Sequence, residues 1–380
     1  MCLLKIFNKN CINNFILLFI YTTICVILWS GFYITTSSAE LMNFDIQNQT
    51  LESKNFIGII PFKSRYLTAR SFRNLNAIKQ NYQNTKHGVQ KNLHFIYYKN
   101  GKVLLKNTPS LPAAYASYAN VIKSCVNEKI SFIFHGWTES CYTEWVPQLI
   151  ERLTFHRGGC IVCVDYSSWS KKSYIELLQK FDPISEILYE EVLQLIQNGF
   201  NPSKMFMFGF SYGGQVASKI GRMLKPQYNI KKIDICDMAG PGFDFLSYLN
   251  HSEAAENIQC YYTSLDKGSH FHSCHQNIRL GQCGYTQPAI LSQPYFSSHG
   301  LCPRIYINAF DFPFYAFQKS PKWCERGKTI KNLPNGFTVG YREGGYNDMI
   351  GDIFVPTSMN YPYNLSKKEM IFYEKYLEGT

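Results

Sequence analysis

The apolar run at 204–210 (KMFMFGF) stops at Ser211, and a stretch with apolar residues at helical spacing, 211–224 (SYGGQVASKIGRML), begins there. A strand that becomes a helix within one residue needs a sharp backbone turn, and the glycines at 209, 213 and 214 give it room. The same alternation recurs on both sides. KISFIFHGW (129–137) reads as a short buried strand running into a glycine turn, and 143–155 as a helix. GCIVCVDY (159–166) is the next strand, 173–198 carries apolar positions at helical spacing, and IKKIDICD (230–237) is another strand. Short apolar runs between amphipathic stretches predict an α/β fold, a mostly parallel central sheet with helices on both faces. Upstream, LHFIYYKNGKVLL (93–105) predicts a hairpin with its turn at Asn100–Gly101. With no internal repeat and no linker, 91–380 reads as one domain. Residues 40–90, rich in Asn, Gln and Lys with little periodicity, read as a polar, peripheral or poorly ordered segment.

The N-terminus has its own pattern. Lys5 and Lys9 precede an apolar run from Phe15 to about Ile34, and small residues through Ala39 follow. Basic residues, apolar stretch and small-x-small site predict a secretory signal over 1–39; the run is also long enough for a retained signal anchor. Either way the rest of the chain is exported, secreted in the first case and membrane-tethered in the second. Of the 13 cysteines, three lie in this leader, and the remaining even number predicts disulfides. Cys160 and Cys163 form a lone CxxC inside a strand-like run and are not expected to bond each other; the simplest reading leaves one as a buried thiol and sends the other to a distant partner. Asn48, Asn250 and Asn364 each begin an N-x-S/T sequon. The formal charge of +11 is scattered, without an arginine-rich stripe, which argues against nucleic acid and leaves either plain solubility or attraction to anionic lipid surfaces.

Gly209-Phe210-Ser211-Tyr212-Gly213 is a GxSxG motif. Alone it is a weak signal. At a strand-to-helix junction it predicts a nucleophile elbow, with the helix N-terminus beneath Ser211 favouring negative charge. A serine hydroxyl needs a base, and this arrangement orders the partners as serine, acid, histidine. Asp237, at the C-terminal end of the following strand, is the better-placed acid; Asp234 and Asp244 are structural alternatives. His251, His270, His272, His275 and His299 all satisfy the order for the base, with His299 ahead because it follows the cysteine-flanked loop. HFHSCH (270–275) superficially resembles a metal box but lacks zinc-finger spacing, and neither metal nor cofactor is expected. Two backbone donors are expected for an oxyanion: the N–H of Tyr212, just after the nucleophile, and that of Trp137, after the Gly136 turn. His135 precedes the nucleophile and reads as structural.

Four separated segments, HGW (135–137), GFSYGG (209–214), CDMAGP (236–241) and SSHG (297–300), resemble in order and spacing the motifs of the pancreatic-type lipase family, and VDYS (164–167) and NLPNGFTVGY (332–341) resemble two more of its segments. The resemblance spans roughly 90–360. It implies an α/β-hydrolase fold, a Ser211–His299–Asp237 triad with Trp137 and Tyr212 as oxyanion donors, and lipid ester substrates, triacylglycerol or phospholipid, met at a lipid–water interface. It also leaves open a silent lipid-binding or storage protein on the same fold. Phe210 and Met238 depart from the family pattern, which frequently has histidine and proline there. The family's C-terminal β-sandwich is not expected here, and with it no colipase-type partner. By analogy with the family's lids, Cys274 is expected to bridge to Cys283, a short loop that leans toward phospholipase A1 members, and Cys302 to Cys324.

Overall fold

The computed structural model describes residues 69–107, 119, 121, 123–246, 250–324, 330, 333–346 and 349–378. The leader reading, the sequon at Asn48 and the 40–68 part of the polar segment lie outside the described residues. Almost everything described belongs to one compact unit, Arg73–Thr380. Among the described residues no helix is long and apolar enough to cross a membrane.

The hairpin β1 (His94–Lys99) and β2 (Lys102–Asn107) turns at Asn100 and Gly101, with φ of 50° and 73°. Both central residues at positive φ give the turn whose twist matches the flanking strands, as the Asn-Gly pair predicts. β3 (Ile130–Phe134), β4 (Cys160–Asp165), β5 (Met205–Phe210), β6 (Lys232–Cys236), β7 (Asn257–Tyr262) and β8 (Gln276–Leu280) follow. β9 (Phe314–Tyr315) and β10 (Thr338–Val339) make a small antiparallel ribbon, so among the described residues only the 338–339 part of the late-strand reading is a strand, and β11 (Gly351–Val355) completes the main sheet. The nine-stranded order is β11-β8-β7-β6-β5-β3-β4-β1-β2. From β11 to β4 every pairing is parallel, and β1 closes antiparallel on β4. This order, with helices on both faces, is the α/β-hydrolase architecture.

Strand periodicity divides the core. Met205 and Met207 of β5 face one apolar cluster with Ile233 and Ile235, and Phe206, Phe208 and Phe210 face the other. α1 (Ala69–Gln90), α2 (Trp145–His156), α3 (Phe181–Gln197), α4 (Tyr212–Leu224), α5 (Ser298–Asn308) and α6 (Lys367–Glu378) are the longer helices. Leu188 and Val192 of α3 and Val216 and Ile220 of α4 cover the methionine face. Leu149 and Leu153 of α2 and Leu301 and Ile305 of α5 cover the phenylalanine face. Burying such a side chain is worth roughly 1.5–3 kcal/mol, so these stripes fix which face each helix takes.

α1 revises part of the reading of 40–90 as aperiodic. Tyr82, Thr85, Lys86 and Val89 turn inward at helical spacing, but only Val89 is fully buried. Lys86 meets Glu190 of α3 at 2.6 Å, so this helix docks by a polar contact that an apolar pattern does not register.

All ten cysteines downstream of the leader are paired: Cys125–Cys160, Cys141–Cys163, Cys236–Cys302, Cys260–Cys274 and Cys283–Cys324. Cys160 and Cys163 do not bond each other, since residues three apart on a strand face opposite ways. Both, however, reach distant partners, and the expected buried thiol is absent from this pair. The expected bridges Cys274–Cys283 and Cys302–Cys324 are overturned. β8 separates Cys274 from Cys283, five residues at about 3.3 Å each, far beyond the roughly 4.4–6.8 Å between bonded Cα atoms. Cys302 faces the end of β6 instead.

Candidate active site

Ser211 stands at the junction of β5 and α4 with φ 54° and ψ −121°, a strained conformation for a residue with a side chain. Glycines permit it. A Cβ at Gly213 would lie 2.3 Å from the Phe134 carbonyl oxygen, and one at Gly209 would lie 2.5 Å from the Gly213 carbonyl oxygen. The elbow's N–H is held too, donating from Ser211 to the Cys236 carbonyl at 3.0 Å. The bend throws the Ser211 hydroxyl above the C-terminal edge of the parallel strands, where sheets of this kind keep their chemistry.

His299 enters from the first turn of α5. Its Nε2 is 2.9 Å from Ser211 Oγ, and its Nδ1 is 2.6 Å from Asp237 Oδ2. With Nδ1–H donating to the carboxylate, the Nε2 lone pair faces the hydroxyl, the tautomer that can accept its proton. Asp237 is fully buried just beyond β6. Its charge is met by the Thr263 N–H at 2.6 Å, the Ser264 N–H at 3.1 Å and the Ser264 hydroxyl at 2.5 Å. A buried carboxylate so surrounded is satisfied and fixed in direction. The Cys236–Cys302 disulfide ties the residue before Asp237 to the helix that carries His299. Phe210 lays its ring against the imidazole at 4.8 Å between centroids.

The remaining candidates have other partners. Asp234 is paired with Lys232 at 3.1 Å and accepts from the Tyr306 hydroxyl at 2.6 Å. Asp244 accepts from the Ser269 hydroxyl and the His270 N–H. His270 meets the Leu265 carbonyl, His272 meets Asp352, and His275 accepts from the Ile258 N–H. His251 lies between Ser273 and Gln215; burial, aided by the Arg222 charge, pushes its pKa down to about 3. Cys274 of the HFHSCH stretch is bonded to Cys260. His135 stacks on Tyr166 at 4.0 Å, and its Nε2 faces the Tyr166 N–H at 3.3 Å, leaving Nδ1–H for the Gly136 carbonyl at 3.0 Å.

The turn after β3 lies against the serine: a Cβ built on Gly136 would sit 3.2 Å from Ser211 Cβ. Trp137 follows, its indole N–H donating to the Lys172 carbonyl at 2.7 Å and its ring tilted against Tyr174. Thr138 N–H donates to the Ser170 carbonyl, and the Ser170 hydroxyl returns a bond to the Glu139 carbonyl. The Glu139 side chain accepts from Gly136 N–H at 2.7 Å and from the Trp145 indole N–H at 2.8 Å. Burial raises its carboxyl above the ordinary carboxylate range, opposed by those two hydrogen bonds. Among the described residues, no protein acceptor takes the backbone N–H of Trp137 or of Tyr212. Thr263, Ser264 and Glu139 escape a reading of the sequence. For Glu139 a signal exists: an acid three residues after a turn glycine and six before a tryptophan.

Such a line of hydroxyl, imidazole and carboxylate, beside free backbone donors, is equipped for acyl transfer. The Lipase family model matches residues 67–255. The pancreatic triacylglycerol lipase of Myocastor coypus is 29% identical over 118 residues, 31% of this chain and 25% of that protein. The pancreatic lipase-related protein 2 of the same animal is 28% identical over 102 residues, 26% of this chain and 22% of that one. The human pancreatic triacylglycerol lipase is 27% identical over 120 residues, 31% and 25% of the two chains. The chain thus spans about a quarter of the length of the curated relatives it matches. Among solved structures, a phospholipase/carboxylesterase from Dyadobacter fermentans aligns over 44% of this chain and 69% of its own, with 13% identity and a TM-score of 0.28.

Proposed function

Since the chain belongs to the pancreatic-type lipase family, we propose that it is a carboxylic ester hydrolase acting on lipids. The observation that carries this is the 2.9 Å approach of His299 Nε2 to Ser211 Oγ, backed by the 2.6 Å contact from Nδ1 to Asp237. In the proposed cycle Ser211 Oγ attacks the ester carbonyl while His299 takes its proton. The tetrahedral oxyanion is met by the N–H groups of Trp137 and Tyr212. Collapse expels the alcohol, which leaves with the proton from His299, and the acyl group stays on Ser211. Water, deprotonated by His299, then attacks the acyl-enzyme and releases the fatty acid. Asp237 holds the imidazole in its working tautomer and stabilises the imidazolium that forms. No step calls for a metal or organic cofactor.

The proposed substrates are triacylglycerol or a phospholipid, met at a lipid–water interface. With Cys283 bonded to Cys324, no internal bridge shortens the loop before His299, and the lean toward phospholipid loses its support. The leader and five disulfides support export, with secretion as the reading and N-linked glycans at Asn250 and Asn364 as a corollary. A silent lipid-binding protein would have no chemical use for the aligned hydroxyl, imidazole and buried carboxylate. The test is hydrolysis of triacylglycerol and of phosphatidylcholine by the purified chain and by Ser211→Ala. Fatty acid release by the native chain and its loss in the variant are expected; binding of either lipid without release would favour the silent protein.

A further inference from the structure

We infer that Glu139 is a positioning residue for the oxyanion loop, its ionised carboxylate accepting from both Gly136 N–H and the Trp145 indole and so holding the Trp137 N–H beside Ser211 before substrate arrives. The inference rests on the hydrolase reading above. Its basis is the pairing of donors and acceptors. Gly136 N–H meets Oε2 and the Trp145 Nε1–H meets Oε1, two donors on two oxygens. An ionised carboxylate, which only accepts, satisfies both. A neutral acid or an amide offers one acceptor and one donor, and sets a donor against a donor on one side.

Position makes this clamp matter. On the upstream side His135 is held by Tyr166, and on the downstream side Thr138 N–H and the Glu139 carbonyl are held by Ser170. In the stretch between, Gly136 lies beside Ser211, so that a Cβ on it would sit 3.2 Å from the serine Cβ, and its N–H is secured by the Glu139 side chain. A displacement of about 1 Å at a reacting geometry can cost roughly a hundredfold in rate. The other end of the clamp reaches the base: the Trp145 ring meets Phe210 edge-on at 6.0 Å, and Phe210 lies on His299. One side chain thereby references the oxyanion loop to the wall that supports the imidazole.

The test uses kcat and KM on a soluble short-chain aryl ester with the full disulfide-bonded chain. Glu139→Gln is expected to lower kcat by about 10–100-fold with KM within about threefold, less than the roughly 10²–10³ for outright loss of an oxyanion donor. Replacing Trp145 by Phe removes the second donor, so the oxygen of the substituted amide can serve Gly136 alone. In the Trp145→Phe background, Glu139→Gln is therefore expected within about threefold of Trp145→Phe itself, and Glu139→Ala at least about tenfold lower in kcat. If Glu139→Gln does not fold, this second pair carries the test. Native kcat in Glu139→Gln, or equal losses for Glu139→Gln and Glu139→Ala in the Trp145→Phe background, would overturn the inference and leave the hydrolase reading standing. A native chain without Ser211-dependent turnover would overturn both.

Discussion

Two turns face each other across the candidate site, and they are made rigid in different ways. The elbow at Ser211 is fixed by backbone sterics: a positive φ, and glycines whose missing Cβ atoms leave space for carbonyl oxygens 2.3–2.5 Å away. The turn at 135–139 also has a positive φ, 67° at Thr138, and a backbone bond from Thr138 N–H to the Ser170 carbonyl, but it leans in addition on side chains: Glu139, the Ser170 hydroxyl and the Trp137 indole. The first kind of rigidity is written in glycine spacing and cannot be adjusted by titration. The second depends on hydrogen bonds to a carboxylate that burial has already made easier to protonate. One turn carries the proposed nucleophile, where any looseness is fatal. The other carries a proposed oxyanion donor, where looseness is graded.

That contrast sets the expected order of effects. On the elbow side, Ser211→Ala should lower kcat about 10⁶-fold, and Asp237→Asn about 10⁴-fold by inverting the imidazole tautomer, both measured as ester turnover under substrate saturation. Gly213→Ala drives a methyl into the Phe134 carbonyl and should cost about 3 kcal/mol or more by urea unfolding, with activity lost alongside stability. On the loop side the changes should be milder. Ser170→Ala removes the hydroxyl bond to the Glu139 carbonyl and should cost about 1 kcal/mol and up to about tenfold in kcat. A loss as large as that of Ser211→Ala would break the distinction between the turns.

The smallest effect on turnover concerns a brace behind the elbow. His251 reaches Gln215 of α4, whose amide donates to the Ala239 carbonyl. Its folded pKa of about 3 lies below the ordinary value of 6.5, so between these values the unfolded chain binds the proton and the folded chain does not. Stability therefore falls as pH drops from about 6.5 toward 3, by up to about 1.4 kcal/mol per pH unit for one group. His251→Gln should flatten that slope, read from urea midpoints at pH 7 and pH 5, while kcat at pH 7 stays within about twofold.

The same contrast explains what the sequence discloses. β3 to β6 and the elbow are legible because burial on both faces makes continuous apolar runs, and because a strand-to-helix bend demands glycine. His299 lies within hydrogen-bond reach of both Ser211 and Asp237; chain order leaves five histidines open, and the family resemblance is what singles out His299. Asp237's partners Thr263 and Ser264 are not legible: two of the three bonds are backbone N–H groups, which any sequence would supply. Glu139 acts through two donors that become neighbours only once β3 and α2 are packed. The disulfides fail for the same reason, since Cys236 and Cys302 meet across the sheet face and Cys274 and Cys283 stand at opposite ends of β8. Helix α1 is masked by polar residues whose pairing partner, Glu190, lies more than a hundred positions away.

The most direct measurement is peptide mass spectrometry of the chain after exposure to a fluorophosphonate. Phosphonylation at position 211 alone, abolished when His299 is replaced by Ala, is the outcome this account predicts. An unlabelled chain, or a label on any other serine, would contradict it.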